Sequence, residues 1–255
     1  MTASGRTTAD RAALREVVVV FVVVSAAAVA LTRLRGIAGA SEYVHLSVAV
    51  LFLAIPVRLA QREPDGLRRF GIDLAGLLTP NPLSPPGVRA AIIDLAQAVC
   101  RALPHFLREA AVALAVAALV FPPFALGFYL WHAPVHPFTL HWPADPAAFL
   151  LSQLLLVALP EEALFRGYFQ TRLDDGLARR VRLLGAHVSL PALLLQAVLF
   201  GVMHFLVDLI PARLAVAFPA LAFGWLRARR QGIGAATVFH CLSNLYADVL
   251  VRGWL

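Results

Sequence analysis

The sequence predicts an all-α membrane protein, a polytopic transmembrane helix bundle of about seven to eight spans. Three observations carry that expectation. The 255 residues are 60% hydrophobic and 15% charged, with a mean hydropathy of +0.77, whereas a soluble domain carries about 25% charge. The apolar residues gather into stretches near the ~20 residues that cross a hydrocarbon core as a helix. None alternates apolar and polar residues like a barrel strand, and helices are the other way to satisfy a backbone in lipid.

The apolar stretches run 16–34, 43–60, 106–130, 147–170, 188–208, 211–227 and 232–251. The first follows Arg6, Arg11 and Arg15, lacks a small-residue cleavage site and precedes further spans. It reads as a span rather than a removed signal. Between the second and third, 61–104 holds Arg62, Arg68, Arg69 and Arg89 and the proline-rich run TPNPLSPPG. This region reads as a loop followed by a short amphipathic segment at 88–103. The charge of that segment favours a place in the interface over an eighth span. The segment 131–146, WHAPVHPFTLHWPADP, has the Trp and His content of an outer interface. Its His132, His136 and His141, beside prolines, read as solvated turn residues. Two regions result: 1–146, with the first spans, the basic loop and the amphipathic segment, and 147–252, which carries the chemistry.

All 22 basic residues are Arg, and the net charge is +7. The arginines lie mostly between apolar stretches, which is the positive-inside pattern and no sign of nucleic-acid binding. The amino terminus, 58–101, the Arg172–Arg182 loop and the Arg227–Arg230 turn are basic, while the loops near 131–146 and 207–211 are not. Alternation places the amino terminus in the cytoplasm and the carboxyl terminus outside, with Arg33 and Arg35 fitting poorly. Cys100 and Cys241 form no CxxC pair, so neither a disulfide framework nor a thiolate zinc site is expected. Cys241 reads as a small apolar filler.

Ionisable residues inside spans are costly and mark function. The fourth stretch, LLLVALPEEALFRGYFQ, holds Glu161, Glu162 and Arg166. Glu162 and Arg166 are four apart and can pair along one helical face. Glu161 is turned about 100° from Glu162, so the two carboxylates need not share a task. Pro160, just before them, frees a backbone carbonyl and tends to kink the helix. Two later stretches carry His204, four after Phe200, and His240, four before Asn244. Imidazole exchanges a proton near neutral pH, and an imidazole and an amide can donate to a developing oxyanion. Depth agrees: Glu161 and His240 each lie about 15 Å from the basic boundary at 1.5 Å per residue. His204 matches, at about 21 Å, if its helix starts near Leu190 with Pro191 in the first turn. Elsewhere, Asp208 reads as a cap or interface residue, Asp248 as a partner of Arg252, and His45 as a hydrogen-bonded bundle residue.

E-E-A-L-F-R (161–166), F-G-V-M-H (200–204) and H-C-L-S-N (240–244) resemble the ordered EExxxR, FxxxH and HxxxN motifs of the CPBP intramembrane proteases. That family includes the CAAX prenyl endopeptidases and many bacterial relatives. The resemblance covers about 147–251 and extends to sorting-signal proteases of the myxosortase kind. It implies a glutamate-dependent intramembrane endopeptidase with no obligatory metal. Glu161 and His204 would activate a water, His240 and Asn244 would form the oxyanion hole, and Glu162 and Arg166 would orient the site. The implied substrate is a peptide or protein with an apolar or lipidated segment at the membrane, and the implied location a bacterial cytoplasmic membrane. No cofactor is expected, zinc on one Glu and two His being the alternative. The other function classes are a non-catalytic, bacteriocin-immunity-like membrane protein and a proton-coupled transporter. No GxSxG serine or HExxH helix is present.

Overall fold

The computed structural model describes residues 3–37, 39–78, 87–177 and 180–255, with side chains from residue 10 onward apart from 41 and 42. The proline-rich stretch 79–86, expected as a loop, lies outside the described residues. The chain is helical almost throughout: α1 (Ala3–Arg33), α2 (Ser41–Ala60), the single turn α3 (Gly66–Arg69), α4 (Val88–His132), α5 (Pro146–Gly176), α6 (Leu190–Asp208), α7 (Ala217–Arg230) and α8 (Gly234–Trp254). An antiparallel hairpin, β1 (Arg180–Leu183) and β2 (Ala186–Ser189), joins α5 to α6. Among the described residues, five helices are long and apolar enough to cross a membrane, namely Asp10–Gly36, which runs from α1 into the 3₁₀ turn after it, Tyr43–Ala60 of α2, α4, α5 and α6.

Three expected stretches come out differently. The amphipathic segment 88–103 and the span 106–130 form one helix of 45 residues, with Pro104 inside it. One missing N–H is a local loss that the flanking turns of a long helix absorb. The stretch 211–227 divides into a 3₁₀ segment, Pro211–Val216, and α7, which has 14 residues. At 1.5 Å per residue α7 is about 21 Å long, short of the hydrocarbon core.

The ends of α5 and α6 follow from their sequences. Asp145 caps α5 by accepting from the Ala148 amide at 2.9 Å, with Pro146 in the first turn. Ser189 caps α6 by accepting from the Ala192 amide at 3.4 Å, with Pro191 in the first turn. Pro at this position loses no helical hydrogen bond. The expected start of α6 at Leu190 is therefore what the structure has. Inside α5, π-helical turns at Gln153–Ala158 and Ala163–Phe169 flank Pro160. The first of these widens the helix where the proline ring crowds the carbonyl four residues back.

The chain divides into two compact units. The first holds residues to Asp73 and Pro160–Ile233. Its interior is aromatic: Phe165 meets Phe52, Phe169 and Phe200 edge-on, Phe21 meets Phe169, and Phe70 stacks on Tyr168 at 5.6 Å. Lipid tails are as apolar as these rings, so close packing rather than escape from water holds the helices. Gly167 makes one such approach possible, since a Cβ there would lie 2.4 Å from Ile72 Cγ2. Polar contacts fasten one end. Tyr168 Oη donates to Glu16 at 2.5 Å, Arg172 pairs with Glu16 and Glu63, and Arg69 pairs with Asp175 and Glu63. Gln170 and Gln196 donate to the Gly224 and Ala220 carbonyls of α7 at 2.9 and 3.1 Å.

The second unit holds Leu74–Leu159 and Gly234–Leu255. Here α4 and α8 run in the same direction. Glu109 lies beside Gly234, Phe121 stacks on Tyr246 at 4.3 Å, and Phe128 stacks on Trp254 at 6.0 Å. The Thr139 amide donates to the Gly253 carbonyl at 3.1 Å, tying the 133–145 connection to the end of α8.

Candidate active site

The chemistry-bearing residues are built on helices in each unit. In the first unit, Glu162 and Arg166 stand one turn apart on α5, and Arg166 Nη1 donates to Glu162 Oε1 at 2.9 Å. Both side chains are wholly buried. The guanidinium lies 4.2 Å from the Phe200 ring centroid, 4.9 Å from Phe223 and 5.9 Å from Phe165. Aromatic faces attract a cation most strongly where water is excluded. The pair is thus a charge bound inside an aromatic cage, as the four-residue spacing predicts.

Glu161, on the adjoining helical position, faces His204 of α6. His204 Nε2 and Glu161 Oε2 are 3.9 Å apart, with the side chains 22% and 16% exposed. The His204 ring also lies 4.4 Å from that of Phe200, and its Nδ1 is 3.0 Å from the Phe200 carbonyl oxygen. A carbonyl only accepts, so Nδ1 carries the proton in this bond. In the neutral ring Nε2 then holds the lone pair, and it is Nε2 that points toward Glu161. Phe200 therefore has two duties: its ring packs on Arg166, and its carbonyl sets the tautomer of His204. The FxxxH spacing is the spacing of a side chain bonding the carbonyl one turn back.

In the second unit, His240 is 4% exposed and stands one turn before Asn244 on α8. Asn244 Nδ2 donates to Gln153 Oε1 at 2.8 Å, and Cys241 Sγ lies 3.7 Å from the Leu150 carbonyl. Cys241 is buried, as a filler would be. The sequence reading passed over Gln153, whose one signal is an amide inside an otherwise apolar run. It also passed over Glu109, a carboxylate only 2% exposed on α4. A Cβ at Gly234 would lie 3.1 Å from Glu109 Cγ, which sets the carboxylate at the amino end of α8. That end has no Ser, Thr, Asp or Asn to cap it, and an acidic group there is favoured by the helix dipole.

Other sites are simpler. Asp248 pairs with Arg252 at 2.6 Å, as expected. Asp208 pairs with Arg213 at 2.7 Å instead of capping a helix. His45 is exposed, 3.5 Å from Arg35 Nη2, and is no interior bundle residue. His141 contacts Thr139 within its own loop. Among the described residues, no three or more His, Cys, Asp or Glu side chains are grouped so as to hold a metal ion.

Residues 143–246 match the family model of the type II CAAX prenyl endopeptidase Rce1-like proteins. The matched segment contains all three motifs, and the match supports a likeness of this part of the chain to the CPBP/CAAX proteases. No curated protein and no solved structure matches the chain.

Proposed function

We propose, from the Rce1-like domain in residues 143–246, that this chain is an intramembrane endopeptidase in which Glu161 and His204 activate a water. The observation that carries the reading is the 3.9 Å between His204 Nε2 and Glu161 Oε2, with Nδ1 tied to a carbonyl. Two acceptors face each other across that gap. A water about 2.8 Å from each donates one proton to each and keeps its lone pairs for attack. Its oxygen adds to the scissile carbonyl carbon as Glu161 takes a proton. That proton then passes to the leaving amine as the C–N bond breaks. His240 and Asn244 take the part the motif resemblance assigns them, as donors to the oxyanion. Glu162 and Arg166 brace the helix that carries Glu161. No metal enters these steps.

The substrate class is a peptide or protein with an apolar or lipidated segment at the membrane. Removal of a carboxyl-terminal sorting signal is the finer version of that reading. The setting is a bacterial cytoplasmic membrane with the amino terminus inside, which reporter fusions at each terminus would test.

The test of the activity uses the full chain in proteoliposomes containing a solubilised bacterial membrane proteome, with new termini identified by mass spectrometry. Wild type should generate termini that Glu161→Gln and His204→Ala do not. Equal yields from wild type and Glu161→Gln would sink the mechanism and leave the transporter and immunity readings. Loss of cleavage with a chelator, restored by zinc, would replace the metal-free scheme.

A further inference from the structure

We infer that Gln153 is a positioning residue for Asn244, deciding which end of the Asn244 amide is offered to a developing oxyanion. The inference rests on the proposed role of Asn244. A side-chain amide has two ends of similar size and opposite character, a donating NH₂ and an accepting oxygen. Turned about its last torsion, Asn244 would present the oxygen, which repels an oxyanion. Asn244 Nδ2 donates to Gln153 Oε1 at 2.8 Å, and both residues are half-buried. That bond uses one Nδ2 hydrogen and leaves the other, about 120° away, for the reacting oxygen. A second contact, Cys241 Sγ to the Leu150 carbonyl, lies three residues earlier on each helix and fixes the same register.

The partner itself is an amide and has its own ambiguity. If both amides turned over, Gln153 Nε2 would donate to Asn244 Oδ1, and the pair would survive with the wrong end exposed. Glutamate at position 153 removes that alternative, because an ionised carboxylate only accepts. Leucine removes the acceptor at similar volume. The two substitutions therefore separate orientation from packing.

The experiment measures kcat and KM in proteoliposomes on a synthetic peptide spanning the most strongly cleaved site found in the proteome screen. Gln153→Leu should lower kcat by about tenfold or more, the scale of a misdirected oxyanion donor, with KM changed less than twofold. Gln153→Glu should restore turnover. The double variant Gln153→Leu with Asn244→Ala should be no slower than Asn244→Ala alone. A Gln153→Leu protein within twofold of wild type, in a preparation where Glu161→Gln is inactive and Asn244→Ala is measurably slowed, overturns the inference and leaves the proposed function standing. A kcat loss that Gln153→Glu does not restore, with a lowered unfolding midpoint, also overturns it in favour of a packing role. Full activity of Asn244→Ala removes its premise, and activity of Glu161→Gln removes the proposed function as well.

Discussion

Replacing Glu162 and Glu161 separately by Gln should divide the labour of the two neighbouring carboxylates. Glu162 and Arg166 are wholly buried and 2.9 Å apart. Glutamine keeps the shape and an acceptor oxygen but takes away the carboxylate bonded to the guanidinium, leaving only the more distant Glu161 charge. Removing one partner of a buried pair costs about 3–5 kcal/mol. The surviving acceptor and ring contacts, worth about 0.5–2 kcal/mol, bring the expected loss to about 3 kcal/mol. At about 2–4 °C per kcal/mol for a chain of this size, the unfolding midpoint should fall by about 6–12 °C. Glu161 differs: it is 16% exposed and 3.9 Å from His204. Losing its charge should cost under about 1 kcal/mol, or a shift within about 4 °C. Turnover should reverse the order, with Glu161→Gln losing about 10²–10⁴-fold as general bases do. The assay is thermal unfolding in detergent followed by tryptophan fluorescence, beside cleavage by the same preparations. Equal midpoint shifts for the two variants would refute this division, as would Glu162→Gln unfolding like wild type.

Three smaller predictions test the packing. Gly167→Ala should destabilise by about 1–3 kcal/mol through overpacking, because its Cβ would lie 2.4 Å from Ile72 Cγ2; an unchanged midpoint would show that Ile72 yields. Tyr168→Phe should cost about 1–2 kcal/mol by deleting the bond to the Glu16 carboxylate, read as a lower unfolding midpoint; an unchanged midpoint would show that the bond adds nothing net. Arg252→Ala should be nearly silent, under about 1 kcal/mol, because that arginine is 47% exposed; a midpoint drop beyond about 4 °C would mean the pair with Asp248 anchors α8.

Much of the site was legible because it is written in helical periodicity. Glu162 reaches Arg166, His204 reaches the Phe200 carbonyl, and Asp248 reaches Arg252, each across one turn. The Pro191 signal likewise placed the start of α6 and so the depth of His204. Other features carried weak or contrary signals. The hairpin turn puts Leu184 at φ 46 beside Gly185 at φ 77, and leucine in the left-handed region is not the Asn or Asp that announces such a turn. Pro104 reads equally as a helix end or an interior kink, so the continuity of α4 was out of reach. The stretch 211–227 has a span's composition, but Leu209 at φ 56 and Pro211 begin a different geometry.

By itself the sequence determined an all-α membrane protein and the residues that carry the Rce1-like motifs. Composition and spacing suffice for that, because lipid demands closed hydrogen bonding and a helix repeats every turn. Only the tertiary structure decided that Glu161 meets His204, that rings from α5, α6 and α7 enclose Arg166, and that Gln153 holds Asn244. Those partners lie 43, 34 to 57, and 91 residues apart in the chain for the pairs across helices. No local rule joins residues at such separations; the packing of helices does.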